Sequence, residues 1–120
     1  MIKRVVVAGC RNYYCYEEAK TYIEMCLSRI SKEHTIVILS GGCVGADMLG
    51  ERFAKEKGYA IERFVAEWGK YGRGAGPKRN FEMAMASDYV ICFWDGKSRG
   101  TASMISYAKK LKKPLRIKRI

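Results

Sequence analysis

Residues 35–47 read TIVILSGGCVGAD, an apolar run that passes through three glycines into a segment with helical spacing. The apolar run is typical of a buried strand, and residues 46–57 have the three- and four-residue periodicity of an amphipathic helix. A strand that turns through glycines into a helix leaves backbone N–H groups free at the helix N-terminus, where an anion such as phosphate is held well. The stretch therefore predicts a strand, turn and helix built to bind a phosphate-containing ligand.

A second turn of this kind reads DGKSRGT at residues 95–101, and it also follows an apolar run and precedes a helical pattern. We call residues 40–47 the first glycine turn and residues 95–101 the second glycine turn. In each, glycines allow the backbone to approach a ligand closely. Two such turns about sixty residues apart predict a small protein that binds a phosphate-containing ligand.

Apolar runs alternate with helical patterns along the whole chain. The pattern predicts strands at 3–9, 35–39, 59–65, 89–94 and 114–117, helices at 16–30, 46–57, 78–86 and 101–111, and a long loop at 66–77. Alternation of this kind favours a parallel sheet covered by helices on both faces. The sequence predicts a single domain over residues 1–120, with a Rossmann-like three-layer α/β sandwich around a mainly parallel sheet of about five strands.

In such sheets the ligand lies beyond the carboxyl ends of the strands, where strand order reverses. The turns at those ends and the 66–77 loop carry the candidate ligand-binding residues. These are Gly9, Arg11, Ser40, Gly41, Gly42, Gly45, Asp47, Trp68, Arg79, Asn80, Gly96, Gly100 and Thr101. Arginine suits phosphate and asparagine suits a base or hydroxyl edge. Asp47 either caps its helix or binds a ribose hydroxyl, Thr101 either caps or binds phosphate, and Trp68 either stacks on the ligand or anchors its loop.

Several other classes of protein lack support in the sequence. The chain has no G-x-G-x-x-G or P-loop pattern, which disfavours a conventional dehydrogenase or a P-loop ATPase. Its five cysteines show no zinc or disulfide spacing, although Cys10 and Cys43 lie within the ligand turns. No apolar run is long enough to span a membrane, and no signal peptide is recognisable. We therefore expect a cytoplasmic protein without a membrane or a resident metal, with Mg²⁺ left open near Asp47 and Asp95.

The net charge of +11 is concentrated in the second half of the chain. Residues 61–120 hold 14 basic and 5 acidic side chains, whereas residues 1–60 hold 9 and 7. Seven of the basic residues lie near the end, and these are Lys109, Lys110, Lys112, Lys113, Arg116, Lys118 and Arg119. A cluster of this kind either attracts nucleic acid or solvates the outer surface of a helix.

The motifs taken together resemble the YspA-type, YpsA-related branch of the SLOG superfamily. They are G-x-R at 9–11, SGGCVGAD at 40–47, Trp68, YG at 71–72, AGPKRN at 75–80, Met83, Asp88 and GKSRGT at 96–101. The resemblance covers nearly the whole chain. It implies a Rossmann-like fold, a nucleotide or nucleotide-derived ligand and self-association into homo-oligomers.

The related LOG-type phosphoribohydrolases provide a test for catalysis. In those enzymes a Glu on the second glycine turn acts with an Arg from an R-K-x-x-M helix to cleave an N-glycosidic bond. Here the Arg and Met correspond to Arg79 and Met83, but Asn80 replaces the Lys and Met104 replaces the Glu. Cleavage of such a bond generally needs a carboxylate. The remaining candidates are Asp47, Glu67, Asp88 and Asp95.

Three functions therefore remain open. The first is a module that binds a nucleotide-type ligand such as ADP-ribose or NAD in order to sense or sequester it. The second is an enzyme that hydrolyses an N-glycosidic or phosphoester bond of that ligand with Asp47 or Asp95. The third is a nucleic-acid-associated basic protein.

Overall fold

The structure, a computed structural model, describes all 120 residues. Its strands are β1 (Ile2–Gly9), β2 (Thr35–Ser40), β3 (Ala60–Arg63), β4 (Tyr89–Trp94) and β5 (Leu115–Arg119). They form one sheet in the order β3-β2-β1-β4-β5, and every pair is parallel. The predicted Rossmann-like fold with a parallel sheet of five strands is confirmed.

Six helices accompany the sheet. They are α1 (Tyr16–Leu27), α2 (Ile30–Glu33), α3 (Ala46–Lys57), α4 (Trp68–Tyr71), α5 (Ala75–Ala86) and α6 (Arg99–Lys110), with a 3₁₀ turn at Gly72–Gly74. None of them is long and apolar enough to cross a membrane.

The central strand β1 is buried on both faces. Val5 and Val7 belong to the core formed with α1 and α3, whereas Val6 and Ala8 belong to the core formed with α5 and α6. Successive side chains of a strand point to opposite faces, so a strand between two helical layers needs an uninterrupted apolar run. The valine run near the start of the chain meets this need.

The predicted loop at 66–77 is largely helical in the structure, and this prediction was wrong. Helix α4 and the 3₁₀ turn occupy residues 68–74, and α5 begins at Ala75 instead of residue 78. Pro77 is compatible with this earlier start because it is the third residue of the helix. The N–H that proline lacks would have no intrahelical partner at that position.

Other boundaries also differ from the sequence pattern. The helix predicted at 16–30 ends at Leu27, where the Ser28 N–H and hydroxyl both donate to the Met25 carbonyl and tighten the last turn. Helix α6 begins at Arg99 because Ser98 serves as its N-cap. Strand β3 is shorter than predicted, and β5 runs to Arg119 instead of residue 117.

Two glycines allow the ends of β1 and β4 to meet the start of α3. The Ala46 N–H donates to the Cys10 carbonyl at 3.1 Å. A Cβ on Gly45 would lie 2.4 Å from that carbonyl oxygen, and Gly45 has a φ of +86°. A Cβ on Gly9 would lie 2.3 Å from the Phe93 carbonyl oxygen. Only glycine permits this approach of the three backbones.

We expect Gly45→Ala to lower the free energy of unfolding by about 3 kcal/mol, because the new methyl group meets backbone atoms in a left-handed conformation. Gly69→Ala is the matched control, since a Cβ there meets nothing within 4 Å. Its effect should stay within about 0.5 kcal/mol. Urea unfolding followed by circular dichroism measures both. Equal stability of the two variants would contradict the role assigned to Gly45.

Candidate functional site

A polar cleft of ≈ 370 Å³ lies at the carboxyl ends of β1 and β4, between which the strand order changes direction. It is lined by Ala8, Gly9, Cys10, Arg11, Asn12, Cys43, Asp47, Arg79, Asn80, Met83, Asp95, Ser98, Gly100, Thr101 and Met104. Its volume is in the range of small-molecule sites. The cleft is the candidate ligand site.

The structure brings about half of the predicted ligand-binding residues to the wall of this cleft. These are Gly9, Arg11, Asp47, Arg79, Asn80, Gly100 and Thr101, together with Asp95. The others lie outside the lining. Trp68 is half exposed on α4, with its indole ring against Gly76, and Gly96 lies beside the Arg119 guanidinium. Four residues of the first glycine turn do not line the cleft, and these are Ser40, Gly41, Gly42 and Gly45.

The first glycine turn is held by hydrogen bonds from the protein itself. The buried Ser40 hydroxyl accepts from the Gly42 N–H at 3.0 Å. The Asp47 Oδ2 accepts from the Cys43 N–H at 3.3 Å. Asp47 therefore binds the turn that precedes α3, and no side-chain bond caps the helix itself.

Arg79 reaches from α5 to the same turn. Its Nη1 donates to the Gly41 carbonyl at 2.9 Å, and its Nε donates to the Asn80 Oδ1 at 2.9 Å. Its Nη2 has only the Cys43 sulfur, 4.0 Å away. The guanidinium is thus buried and fixed in orientation, while one of its nitrogens keeps donor capacity on the cleft side.

The second glycine turn is organised around Asp95. The Asp95 Oδ1 accepts from the N–H groups of Lys97 and Ser98, both at 2.8 Å. These bonds favour the ionised carboxylate and lower the pKa of Asp95. Ser98 then caps α6 by accepting from the Thr101 N–H at 3.4 Å, and its hydroxyl lies 3.1 Å from that of Thr101.

The start of α6 retains free donors. The N–H groups of Arg99 and Gly100 make no hydrogen bond within the chain. The Gly100 carbonyl accepts from the Asn80 Nδ2 at 3.3 Å, which connects α6 to α5 across the cleft wall. Free N–H groups at a helix N-terminus favour an anion.

Asp47 is the most perturbed acid of the cleft. Only 6 % of the residue is exposed, and burial raises its pKa to about 6. The Cys43 N–H, the Arg79 charge and the Gly41 N–H oppose this shift only in part. Its Oδ1 accepts no hydrogen bond from the chain, although the residue lines the cleft. Asp47 is therefore a proton donor or acceptor available to a ligand.

Glu51 on α3 is a buried acid that the sequence analysis missed. It accepts from Arg63 through both oxygens, at 2.6 and 2.9 Å, and from the Ser40 hydroxyl at 2.7 Å. Burial raises the pKa of Glu51, but these bonds outweigh burial and the net shift is downward. Arg63 lies on β3, 12 residues from Glu51, so no local sequence pattern indicates the pair. The pair supports Ser40 beneath the first glycine turn.

The cleft is also lined by Ser98 and Asn12, which the sequence analysis did not single out, and by the two cysteines that it placed within the ligand turns. Ser98 had a local signal, because serine is a preferred N-cap residue and Ser98 lies directly before a helical pattern. Asn12 had no such signal. Cys10 and Cys43 both line the cleft, and burial raises the pKa of the Cys10 thiol, so that this thiol stays protonated.

Of the four carboxylates considered for catalysis, only Asp47 and Asp95 line the cleft. No group of three His, Cys, Asp or Glu side chains gathers into a metal-binding cluster.

A parallel α/β sheet with a polar cleft where its strand order reverses is the architecture of a Rossmann-like protein. The chain belongs to the YAcAr family, described as the YspA, cpYpsA-related SLOG family, whose model matches residues 3–71. The predicted SLOG family membership is thereby confirmed. The matched residues include the first glycine turn and Asp47. No curated protein matches the chain.

Solved structures share the fold at low sequence identity. DNA processing protein A from Helicobacter pylori, for which a single-stranded DNA binding mode is described, is 22 % identical with a TM-score of 0.70, over 96 % of this chain and 64 % of that one. The Streptococcus pneumoniae DNA processing protein A (DprA) is 19 % identical with a TM-score of 0.72, over 98 % of this chain and 50 % of that one. The structural-genomics target TM1055 is 24 % identical with a TM-score of 0.66, over 96 % of this chain and 72 % of that one. The chain thus spans one half to two thirds of the two DNA processing proteins.

Asp47→Asn should stabilise the protein at neutral pH. The pKa of Asp47 is about 6 in the folded protein against an ordinary value of 3.8, so the folded state binds the proton more tightly between these values. The free energy of unfolding therefore falls as pH rises from about 4 to about 6, and the loss persists above pH 6. We expect Asp47→Asn to raise the free energy of unfolding by about 2 kcal/mol at neutral pH and to change it little at about pH 4.

Glu51→Gln is the control on the same helix, and we expect it to change the free energy of unfolding in the opposite direction. The pKa of Glu51 is lowered in the folded protein, so its ionised form stabilises the fold above its ordinary pKa of 4.5, and this contribution is lost as pH falls. Glu51→Gln should therefore destabilise at neutral pH. Urea unfolding across pH measures both variants. An unchanged pH dependence in Asp47→Asn would contradict the shift assigned to Asp47.

Proposed function

We propose that the cleft binds a nucleotide or nucleotide-derived ligand, of the class of ADP-ribose or NAD, and that the protein serves to sense or sequester it. The observation that carries this proposal is the convergence of unpartnered groups of opposite type on one cleft. The Gly100 N–H at the start of α6 suits a phosphate, and the Asp47 Oδ1 suits a hydroxyl or amino group. A nucleotide carries both.

The rigidity of the cleft supports the same proposal. Arg79, Asn80 and Asp95 are each fixed by hydrogen bonds to backbone or side-chain groups of the cleft wall. Polar groups that are fixed before the ligand arrives lose little conformational entropy on binding. Membership of the SLOG family agrees with a nucleotide-type ligand.

Hydrolysis of the bound ligand is a second candidate. Asp47, with its pKa near 6, can hold a proton for a leaving group near neutral pH, while Asp95 stays ionised. Against it, Met104 is buried at the position where the LOG-type enzymes carry their Glu, and Met104 transfers no proton. Turnover therefore depends on Asp47 and Asp95 alone.

Association with nucleic acid is a third candidate, favoured by the likeness to the DNA processing proteins and by the basic second half of the chain. The basic residues of the C-terminal cluster lie at the end of α6, in the turn after it and along β5, and none of them lines the cleft. A nucleic acid bound by these residues would occupy a surface distinct from the ligand site.

The purified protein should melt at a higher temperature with one member of a panel of nucleotides, NAD and ADP-ribose, because a ligand held by the native state adds stability. Mass spectrometry of the recovered ligand separates binding from hydrolysis. Asp47→Asn should weaken binding about tenfold through loss of a charged acceptor. Asp88→Asn is the matched control, since Asp88 accepts from the Arg4 N–H outside the cleft. Equal loss in both variants, or no stabilisation by any compound, would contradict the proposal.

Substitution of Lys109, Lys110, Lys112 and Lys113 by Gln should leave the nucleotide-induced rise in melting temperature unchanged, because these residues lie outside the cleft. Single-stranded DNA binding, measured by fluorescence anisotropy at several salt concentrations, would be lost in this variant if the third candidate holds. Loss of the nucleotide effect in the same variant would show that the ligand site had been misplaced.

A further inference from the structure

The outer side of β5 presents a row of backbone groups without partners. Ile120, the residue after β5, donates its N–H to the Trp94 carbonyl of β4 at 3.0 Å. Because alternate residues of a strand face the same neighbour, the even-numbered residues of this segment bond to β4. The N–H and carbonyl groups of Leu115, Ile117 and Arg119 therefore point away from the sheet, and no further strand pairs with them.

A groove of ≈ 410 Å³ lies beside this edge, on the side of the sheet that carries α1. It is lined by Glu17, Glu18, Thr21, Tyr22, Met25 and Lys118. Lys118 belongs to β5, and its Nζ lies 5.5 Å from the centre of the Tyr22 ring of α1. Met25 is 62 % exposed, so a partner that covers it would bury apolar surface. A strand added at the edge would direct alternate side chains to the side of the sheet where this groove lies.

The charge at this edge is strongly positive. Residues 112–119 hold five cations and no acid, and the cations are Lys112, Lys113, Arg116, Lys118 and Arg119. None of the five forms a salt bridge within the chain. The groove adds two acids, Glu17 and Glu18. The excess of unpaired positive charge favours an acidic partner.

We propose that the β5 edge binds an extended acidic segment of another protein, which pairs with β5 as one further strand and places an apolar side chain in the groove. In this mode of recognition the main-chain hydrogen bonds provide affinity, and the pockets for alternate side chains provide specificity. None of the residues at this edge or in this groove lines the cleft. The surface therefore acts independently of the ligand that the cleft binds.

Two other occupants fit the edge less well. The β5 strand of a second copy has no acid to match these cations, and the opposite edge strand β3 has only four residues, with Glu62 already paired with Arg4. A nucleic acid would match the positive charge, but its phosphates donate no hydrogen bond to the outward carbonyls of β5. An extended polypeptide offers donors and acceptors together, at the spacing of a strand.

The first test measures the binding of short fluorescent peptides to the unmodified protein by anisotropy. A peptide in which Glu and Val alternate should bind, whereas the same peptide with Lys in place of Glu should not. Methylation of the backbone nitrogens of the acidic peptide should weaken binding at least about tenfold, because it removes the N–H donors and keeps every charge. Equal binding of the methylated peptide, or no binding of the acidic one, would overturn the proposal. Tighter binding of oligodeoxythymidylate that displaces the peptide would overturn it in favour of nucleic acid.

The second test removes one outward N–H group of the protein. Ile117→Pro deletes the Ile117 N–H, which β4 does not use, and an edge strand accepts proline where its N–H faces solvent. Ile117→Ala retains this N–H and is the matched control. The acidic peptide should bind about tenfold more weakly to Ile117→Pro than to Ile117→Ala, with both variants compared at equal folded fraction by circular dichroism. Equal affinity in the two variants would overturn strand pairing at β5.

Charge reversal at the edge provides an independent measurement. Arg116→Glu combined with Lys118→Glu should weaken binding of the acidic peptide at least about tenfold, because attraction becomes repulsion. Lys70→Glu combined with Arg73→Glu makes the same change in net charge in the segment that follows β3, the opposite edge strand, and should leave binding unchanged. An equal loss in the two double variants would reduce the effect to net charge and overturn the assignment of the site to β5.

Discussion

The contact among the ends of β1 and β4 and the start of α3 determines the geometry of everything at the cleft. Gly9 and Gly45 have no room for a Cβ, and the Ala46 N–H donates directly to the Cys10 carbonyl. Because these segments meet through backbone atoms, their relative positions do not depend on side-chain conformations. The cleft is consequently built on a rigid base at which two strands and one helix are locked together.

Helix α3 carries two buried acids with different consequences. Glu51 has its charge matched by Arg63 and Ser40, so the fold gains from its ionisation. Asp47, one turn earlier, has its charge offset only in part, by the N–H groups of Cys43 and Gly41 and by the charge of Arg79. Buried charge without full compensation costs stability. The protein therefore carries a stability cost at the cleft that we propose as its ligand site, as is common in functional sites.

Much of the fold followed from the sequence because its signals are local. Each of these signals can be recognised within a short stretch of sequence. Examples are the apolar run of β1, the helical spacing of α3 and the glycines between β2 and α3. Residues 66–77 were misread because five glycines and prolines suggest a loop, whereas Pro77 lies where a helix tolerates it. The sequence could not predict how the two glycine turns differ in their hydrogen bonds. This difference depends on where the Asp47 carboxylate points and on partners such as Arg79, which lies 38 residues from Gly41.

Strand β5 forms one edge of the sheet, and its outer side has no neighbouring strand. An edge of this kind is a template for pairing with another chain and so for aggregation. Three of its five residues, Arg116, Lys118 and Arg119, are cationic. Two such edges brought together would repel each other strongly, and their lysine and arginine side chains would lose hydration. The basic end of the chain thus protects the sheet against uncontrolled growth, whichever ligand the cleft binds.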